Sequence, residues 1–140
     1  MKRLIYLLLT CLSVVSCDLY RSDNGDLDGM WKLQQMDSLR TNRSKDLSES
    51  NLTYSVSTDL LQLRGGKTSA LCRFKHTADS LVIYNPFRPG AEGQDIPLED
   101  VSLLHLYGIS NLRQAFHIDE LNSSRMVLST WEIRLHFQKY

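Results

Sequence analysis

Apolar and polar residues alternate along most of the chain with a period of two, which is typical of β-strands that bury one face. The clearest alternation lies at the C-terminus, where the apolar residues at every second position are Trp131, Ile133, Leu135 and Phe137. A second alternation covers 52–57, with Leu52, Tyr54 and Val56 on its apolar face. The same pattern predicts further strands at 30–37, 60–64, 70–76, 81–85, 114–121 and 126–130.

The connections between these strands are short and rich in turn-forming residues, such as Gly65-Gly66 and Asn122-Ser123-Ser124. Short connections join antiparallel neighbours, because parallel strands need crossovers of a dozen or more residues. Eight antiparallel strands in about 110 residues close naturally into an up-and-down β-barrel, which leaves no exposed edge. We therefore predict a single all-β domain with an eight-stranded antiparallel barrel. A β-sandwich of similar strand count is the competing architecture.

One segment departs from the alternation and predicts a short helix over 98–107. The apolar residues that follow a helical spacing there are Leu98, Val101, Leu104 and either Leu106 or Tyr107. Pro97 suits the first helical turn, and Gly108 is placed to cap the C-terminal end. The segments 39–51 and 86–96 show neither periodicity and are predicted to be irregular.

The N-terminus has the layout of an export signal. Lys2 and Arg3 precede an apolar run that is too short to span a membrane of about 30 Å as a helix. The run ends in Val14-Val15-Ser16-Cys17, which resembles the lipobox of bacterial lipoproteins. That resemblance implies removal of residues 1–16 and lipid attachment at Cys17. The alternative is an ordinary signal peptide that leaves Cys17 as a free thiol. Lone exposed thiols are poorly tolerated in oxidising export compartments, so lipid attachment is favoured.

A lipid on Cys17 would anchor the chain without a transmembrane helix, because each buried CH2 contributes about 0.8 kcal/mol. The polar, acidic segment 17–28 is then interpreted as a tether, and 29–140 as the barrel domain. We expect the protein in a bacterial cell envelope, held by its lipid at the outer membrane; the sequence leaves the leaflet open. Cys72 is the single cysteine of the mature domain and forms no internal disulfide, and its strand position indicates a buried side chain.

Charge excludes one class of partner. Removing Lys2 and Arg3 from the 16 basic residues leaves 14 against 16 acidic ones, a net charge of −2. Such a chain has no basic field to attract nucleic acid or anionic lipid. The expected partners are the membrane, through the lipid anchor, and a small hydrophobic molecule, while the sequence leaves a protein partner unknown.

Candidate catalytic and metal sites are weak in this sequence. Asn24, Asp26 and Asp28 match the start of a calcium-binding loop, but Gln35 falls where a bidentate glutamate is required. The four histidines, His76, His105, His117 and His136, lack zinc-type spacing. Asp119 and Glu120 are adjacent on a predicted strand and point to opposite faces, so they cannot act as a pair. We predict no metal, no cofactor and no enzymatic activity, with an unassigned hydrolase as the least favoured class.

The order of motifs resembles that of lipocalin-like lipoproteins of Bacteroides-type bacteria. The residues that carry the resemblance are Gly29-Met30-Trp31 at the first strand, "LYGIS" after the helix, and the closing segment "FHIDELNSSRMVLSTWEIRLHF". The resemblance implies an up-and-down barrel with Trp31 plugging one end. It also implies a basic side chain stacked on Trp31, for which Arg134 is the first candidate and Arg125 the second.

The predicted interior is either a small ligand cavity or a packed core, and the sequence leaves both open. Its predicted members are Leu52, Tyr54, Val56, Cys72, Phe74, Phe116, Ile118, Trp131, Ile133, Leu135 and Phe137. Within a cavity, Tyr54, Phe74, Phe116 and Trp131 would contact a ligand, while Tyr54 and Arg73 would orient it. We therefore predict a non-enzymatic binding module for a small apolar or amphipathic molecule. The alternative is a solid barrel that binds or inhibits an envelope partner through its loops, especially 86–96.

Overall fold

The computed structural model describes residues 23–140 and consists almost entirely of antiparallel strands. The predicted signal peptide and the predicted lipid attachment site, Cys17, lie outside these residues. The strands are β1 (Gly29–Ser38), β2 (Arg43–Asp46), β3 (Thr53–Ser57), β4 (Leu60–Arg64), β5 (Ala70–His76), β6 (Ser80–Pro89), β7 (Asp95–Pro97), β8 (Gln114–Leu121), β9 (Arg125–Ser129) and β10 (Ile133–Lys139). In the described part of the chain, no helix has the length and apolar character needed to cross a membrane.

Eight of these strands form a closed ring in the order β1, β3, β4, β5, β6, β8, β9 and β10, with β10 pairing back onto β1. Each neighbouring pair is antiparallel, so the predicted eight-stranded barrel is confirmed. β1 is long enough to serve two partners on one edge, pairing first with β3 and then with β2. The chain therefore closes on itself through its first and last strands.

β2 and the first two residues of β7 lie in segments that were predicted to be irregular. All four residues of β2 are exposed, and β7 is only three residues long, so neither has a buried face to produce alternation. Each is a hairpin partner of a longer strand, β1 and β6 respectively. Both strands form because their backbone groups hydrogen-bond to the neighbouring strand. Their side chains show no apolar–polar alternation, so the sequence pattern does not predict them.

The predicted helix exists as a 3-10 helix, Val101–Tyr107. It begins later than expected because Pro97 belongs to β7, and the Oδ1 of Asp100 caps the helix by accepting the Ser102 N–H at 3.0 Å. Gly108 ends it with a φ of 81°, a left-handed conformation that glycine adopts without strain. Tyr107 is the buried aromatic of this helix, whereas Leu106 is 51% exposed.

Two short helices cover opposite ends of the barrel. At the start of β4, the Asn24 side chain donates to the Thr58 carbonyl at 2.7 Å, which ties down the 3-10 helix Gly25–Leu27. Just beyond the end of β4, the Tyr107 hydroxyl accepts the Gly66 N–H at 3.0 Å.

Leu27 is fully buried, so the chain already packs on the barrel before Gly29. The predicted tether over 17–28 therefore differs from the structure in its last residues.

The inward faces of the strands form one hydrophobic cluster. Its largest fully buried side chains include Trp31, Tyr54, Tyr107 and Phe116. Most of the predicted interior set is in this cluster, with Phe74 and Ile133 packed against it while only partly buried. Trp131 is the exception: the prediction of an interior position is wrong, because the side chain is 75% exposed. β10 begins at Ile133, so Trp131 belongs to the turn before the strand.

Candidate functional site

The end of the barrel at Trp31 is built from the first and last strands. The indole N–H donates to the Leu27 carbonyl at 2.8 Å, which satisfies the one polar group of a fully buried ring. The Lys139 ammonium lies 4.7 Å from the centre of the same ring and donates to the Asp26 carbonyl at 2.8 Å. A side chain at Gly29 would come within 3.3 Å of the Lys139 Cε. Glycine at this position therefore leaves room for the lysine.

The prediction that Arg134 stacks on Trp31 is wrong, and so is the second choice, Arg125. Strand pairing places Lys139 opposite Trp31, whereas Arg134 lies opposite Asp37, near the other end of β1. The Arg134 Nε instead lies 3.3 Å from the Asp119 carboxylate on the outer surface. Arg125 forms a 3.9 Å ion pair with Glu120. The register of the closing pair of strands decides which cation meets the indole.

The two carboxylates that sequence reasoning placed on opposite faces have separate partners. Asp119 lies at an irregularity in the pairing of β8 with β9, 2.7 Å from His117 and 3.0 Å from the Ser129 hydroxyl. Partial burial acts to raise the pKa of Asp119, but the hydrogen bonds from His117, Ser129 and Arg134 outweigh it and lower the pKa. This cluster is a set of surface ion pairs rather than an acid/base pair.

The interior that was expected to receive a ligand is occupied by contacting aromatic side chains. The Tyr54 ring lies 4.7 Å from the Phe137 ring and 6.3 Å from the Tyr107 ring, measured between centroids. The Tyr54 hydroxyl donates to the Tyr107 carbonyl, so its one donor hydrogen is already used inside the barrel. Burial raises the pKa of Tyr54, with smaller contributions from the nearby Cys72 and Tyr107.

Cys72 and Phe116 complete this packed region. Both are almost fully buried, at 0% and 1% exposure, and burial raises the pKa of the Cys72 thiol to about 12. A thiol with so high a pKa carries almost no thiolate at neutral pH and is a poor nucleophile. Of the residues predicted to contact a ligand, Tyr54 and Phe116 therefore belong to the core, Phe74 is partly buried beside it, and Trp131 lies outside.

A pocket of about 430 Å³ lies outside the barrel, beside Phe87. We call it the Phe87 pocket. It exists because β6 bends at Asn85 and Pro86: Asn85 has a φ of 47°, and the pairing with β5 jumps from Leu71↔Phe87 to Arg73↔Tyr84. Such a bulge inserts unpaired residues into one strand and bends it away from the ladder. The volume lies within the range of about 300 to 1,000 Å³ that is usual for small-molecule sites.

The Phe87 pocket has an apolar floor and a charged rim. Its apolar residues are Pro86, Phe87, Pro97, Leu98 and Leu112. The Leu98 N–H donates to the Pro86 carbonyl at 2.9 Å, which holds the two walls together. The Arg73 guanidinium lies 5.6 Å from the centre of the Phe87 ring and 3.2 Å from Asp59. The predicted polar contact Arg73 thus borders this pocket and not the barrel interior.

The remaining charges of the rim are acidic. Asp95 and Glu99 line the Phe87 pocket together with Arg73, so the charged side chains around it carry one positive and two negative charges. An apolar group can be buried on the floor, where removal from water contributes about 25 cal/mol per Å². The acidic excess favours a neutral or cationic polar group at the rim over an anionic one.

Several candidate metal-ligating residues within 23–140 have other partners. No cluster of three His, Cys, Asp or Glu side chains in this range is arranged to hold a metal ion. In the stretch that resembles a calcium loop, the Asn24 amide donates to the Asp28 carboxylate at 2.9 Å, and the Asp26 carbonyl accepts from Lys139. His136 is paired with Asp37 at 2.7 Å on the outside of the barrel.

The closed antiparallel ring of eight strands, with Trp31 sealing one end, is a lipocalin-like barrel. The family model of the lipocalin-like domain matches residues 9–140, and the chain belongs to this family. Among solved structures, a lipocalin-like protein from Bacteroides uniformis is similar at a TM-score of 0.62 and 18% identity, covering 83% of this chain and 100% of that one. An uncharacterized protein from Bacteroides eggerthii is similar at a TM-score of 0.58 and 16% identity, and the match covers 81% of this chain and 98% of that one. No curated protein matches.

The fold is one that typically serves binding rather than catalysis, and neither solved structure names a ligand. Sequence reasoning missed the Phe87 pocket because Pro86 and Phe87 were assigned to an irregular segment. An available signal was the pair of prolines, Pro86 and Pro97, that flank this segment, since proline within a strand marks an edge or a bulge.

Proposed function

We propose that this protein is a non-enzymatic binding module of the bacterial cell envelope, anchored by lipid at Cys17, whose small amphipathic ligand occupies the Phe87 pocket. The module differs from a carrier that encloses its ligand within the barrel. The ligand is held against the outside of a solid barrel, with its apolar part on Phe87 and its polar part at the rim.

The single observation that carries this proposal is the contrast between a filled interior and a formed outer pocket. Inside the barrel, the Tyr54 ring lies against the rings of both Tyr107 and Phe137. The Phe87 pocket offers about 430 Å³ with an apolar floor, without displacing any core side chain. Opening the interior would cost several kcal/mol, since removing one buried aromatic side chain costs about 3 to 5 kcal/mol.

The anchor at Cys17 is supported by the lipobox-like sequence, and the position of Asn24 limits how far such an anchor would hold the barrel from the membrane. The chain from Cys17 to Asn24 can reach at most about 25 Å. Because Asn24 is already hydrogen-bonded to Thr58, a lipid on Cys17 would hold the barrel close to the membrane surface. Ligands of a site so placed would come from the membrane or from the layer of solution next to it.

Two dyes with the same aromatic skeleton test the site. N-phenyl-1-naphthylamine is neutral, whereas 1-anilinonaphthalene-8-sulfonate carries a negative charge. We expect a lipid-free chain that begins at Asp18 to bind the neutral dye more tightly than the anionic one, because Asp95 and Glu99 disfavour the sulfonate. Leu112→Asp introduces a charge at the pocket wall, where Leu112 is 42% exposed, and should abolish binding.

The matched control is Leu106→Asp, since Leu106 is 51% exposed on the 3-10 helix and does not line the Phe87 pocket. This variant should bind the neutral dye as the wild-type chain does. Equal loss of dye binding in the two variants would overturn the assignment of the pocket, and so would dye binding that survives Leu112→Asp.

A second candidate function is favoured by the edge of β7. Within residues 23–140, β7 pairs with β6 on one side and with no strand on the other. An exposed strand edge can accept a strand from a partner protein. A photo-crosslinking amino acid at Ile96 would then capture an envelope protein, while neither dye would bind at the Phe87 pocket.

A further inference from the structure

The turn between β9 and β10 presents the side chain of Trp131 to solvent. The indole is 75% exposed and borders a groove of about 870 Å³, which we call the Trp131 groove. This groove lies apart from the Phe87 pocket and shares no lining residue with it. A single exposed apolar side chain is common on protein surfaces, so the immediate surroundings of Trp131 decide whether it serves a contact.

The turn that carries Trp131 is held rigidly by its neighbours. The Thr130 hydroxyl accepts the N–H groups of Glu132 and Ile133, at 3.1 and 3.2 Å. The Glu132 carbonyl accepts the Leu39 N–H at 2.8 Å, which ties the turn to β1. The Arg40 guanidinium, paired with Glu132 at 3.5 Å, lies 5.4 Å from the centre of the indole ring. These contacts hold the turn in place and position the Arg40 guanidinium beside the Trp131 indole.

The opposite wall of the groove is also preorganised. Gln114 is one of the few buried polar residues, at 6% exposure. Its side-chain oxygen accepts from the Ser110 N–H at 3.2 Å and from the Asn111 amide at 3.5 Å, and its amide donates to the Ala115 carbonyl at 3.3 Å. A buried amide with all these partners fixes the loop that brings Asn111 to the groove.

The chemistry of the groove combines one aromatic surface with many polar groups. Its polar lining residues include Asp79, Asn111, Arg113, His117 and Glu132. The two carboxylates are matched by Arg113 and by Arg40 beside the indole, so the groove has no excess charge. A ligand for this surface needs one apolar face for the indole and several hydroxyl groups for the polar side chains.

We propose that the Trp131 groove binds a short neutral oligosaccharide. A pyranose ring has an apolar C–H face that stacks on indole and hydroxyl groups around its edge that exchange hydrogen bonds with amide, guanidinium and carboxylate groups. Tryptophan and arginine are also frequent in protein interfaces, but those contacts lie at the centre of desolvated apolar patches. The neighbours of Trp131 in this groove are mostly polar, which favours the sugar.

A glycan array of neutral oligosaccharides, followed by isothermal titration with cellotetraose, maltotetraose and mannotetraose, tests this proposal. The full chain is used, in a detergent without sugar head groups. We expect at least one neutral oligosaccharide to bind, and Trp131→Ala to weaken binding at least about tenfold through loss of the stacking surface. Asn111→Ala should weaken it severalfold.

Tyr140→Ala is the matched control, since Tyr140 is another exposed aromatic, at 68% exposure, and does not line the groove. It should leave oligosaccharide binding unchanged, and so should Leu112→Asp. Absence of binding to every neutral oligosaccharide on the array would overturn the proposal. So would binding that is unchanged by Trp131→Ala, or an envelope protein that binds through Trp131 while no sugar does.

Discussion

The Lys139 ammonium lies over the indole ring of Trp31, at 4.7 Å from its centre, and joins the last strand of the barrel to the first. Trp31 and Lys139 are register partners in the pairing of β1 with β10. The contact therefore depends on closure of the barrel and seals its end together with Leu27.

Replacement of Lys139 by Ala should lower the free energy of unfolding by about 1 kcal/mol, the usual size of a partly exposed cation–π contact. In a Trp131→Phe background, where Trp31 is the remaining tryptophan, the emission maximum should shift to longer wavelength as the ring gains contact with water. Arg134→Ala in the same background should leave the emission unchanged, because Arg134 is paired with Asp119. If Arg134→Ala shifted the emission maximum and Lys139→Ala did not, the prediction that Arg134 stacks on Trp31 would be supported.

Replacement of Tyr54 by Phe should lower the free energy of unfolding by about 1 to 3 kcal/mol, because it leaves the buried Tyr107 carbonyl without its donor. Urea denaturation measures this change. Tyr84→Phe is the control, since Tyr84 is half-buried on the outside of β6 and should change the value by less than about 0.5 kcal/mol. Equal effects of the two variants would contradict a specific role for the Tyr54 hydroxyl.

Asp37 should make stability depend on pH in the acidic range. Partial burial acts to raise the pKa of Asp37, but hydrogen bonds from Gln35, His136 and Ser44 outweigh it and lower the pKa from 3.8 to about 2. A depressed folded-state pKa contributes stability that is present above the unfolded value and lost as the pH falls toward the folded value.

The difference in unfolding free energy between the wild type and Asp37→Asn should therefore shrink by roughly 1 to 2 kcal/mol between pH 5 and pH 2. Chemical denaturation at the two pH values measures it. A difference that stays constant across this range would show that the Asp37 carboxylate is not held in its ionised form.

Cys72 should resist thiol reagents in the folded protein. Its side chain is fully buried and its pKa is raised to about 12, so both access and thiolate are lacking. In a lipid-free chain that begins at Asp18, where Cys72 is the sole cysteine, labelling with a chromogenic disulfide at pH 8 should require denaturant. Rapid labelling of the folded chain would indicate an open interior.

Period-two alternation predicted the barrel strands well, because a half-buried strand must place apolar residues on one face. The same rule failed at Trp131, which continues the alternation of β10 but precedes its first paired residue, Ile133. It also missed β2 and β7, whose residues have no buried face. Period-two alternation therefore indicates that one face of a strand is buried, but it does not indicate which residues form backbone hydrogen bonds with a neighbouring strand.

The candidate sites depended on features that no local pattern contains. Lys139 meets Trp31 through the register of strands that are more than a hundred residues apart, and Arg134 was chosen without that register. The Phe87 pocket depends on a bulge at Asn85 and Pro86, and the Trp131 groove on the buried Gln114 that fixes its wall. Sequence spacing alone specifies neither.

A crystal structure of residues 18–140 with N-phenyl-1-naphthylamine would show whether the dye binds at the Phe87 pocket or inside the barrel. We expect density for the dye beside Phe87 and Leu112, with Tyr54, Phe116 and Phe137 in their packed positions. Dye density inside the barrel, between Tyr54, Cys72 and Phe116, would contradict binding at the Phe87 pocket.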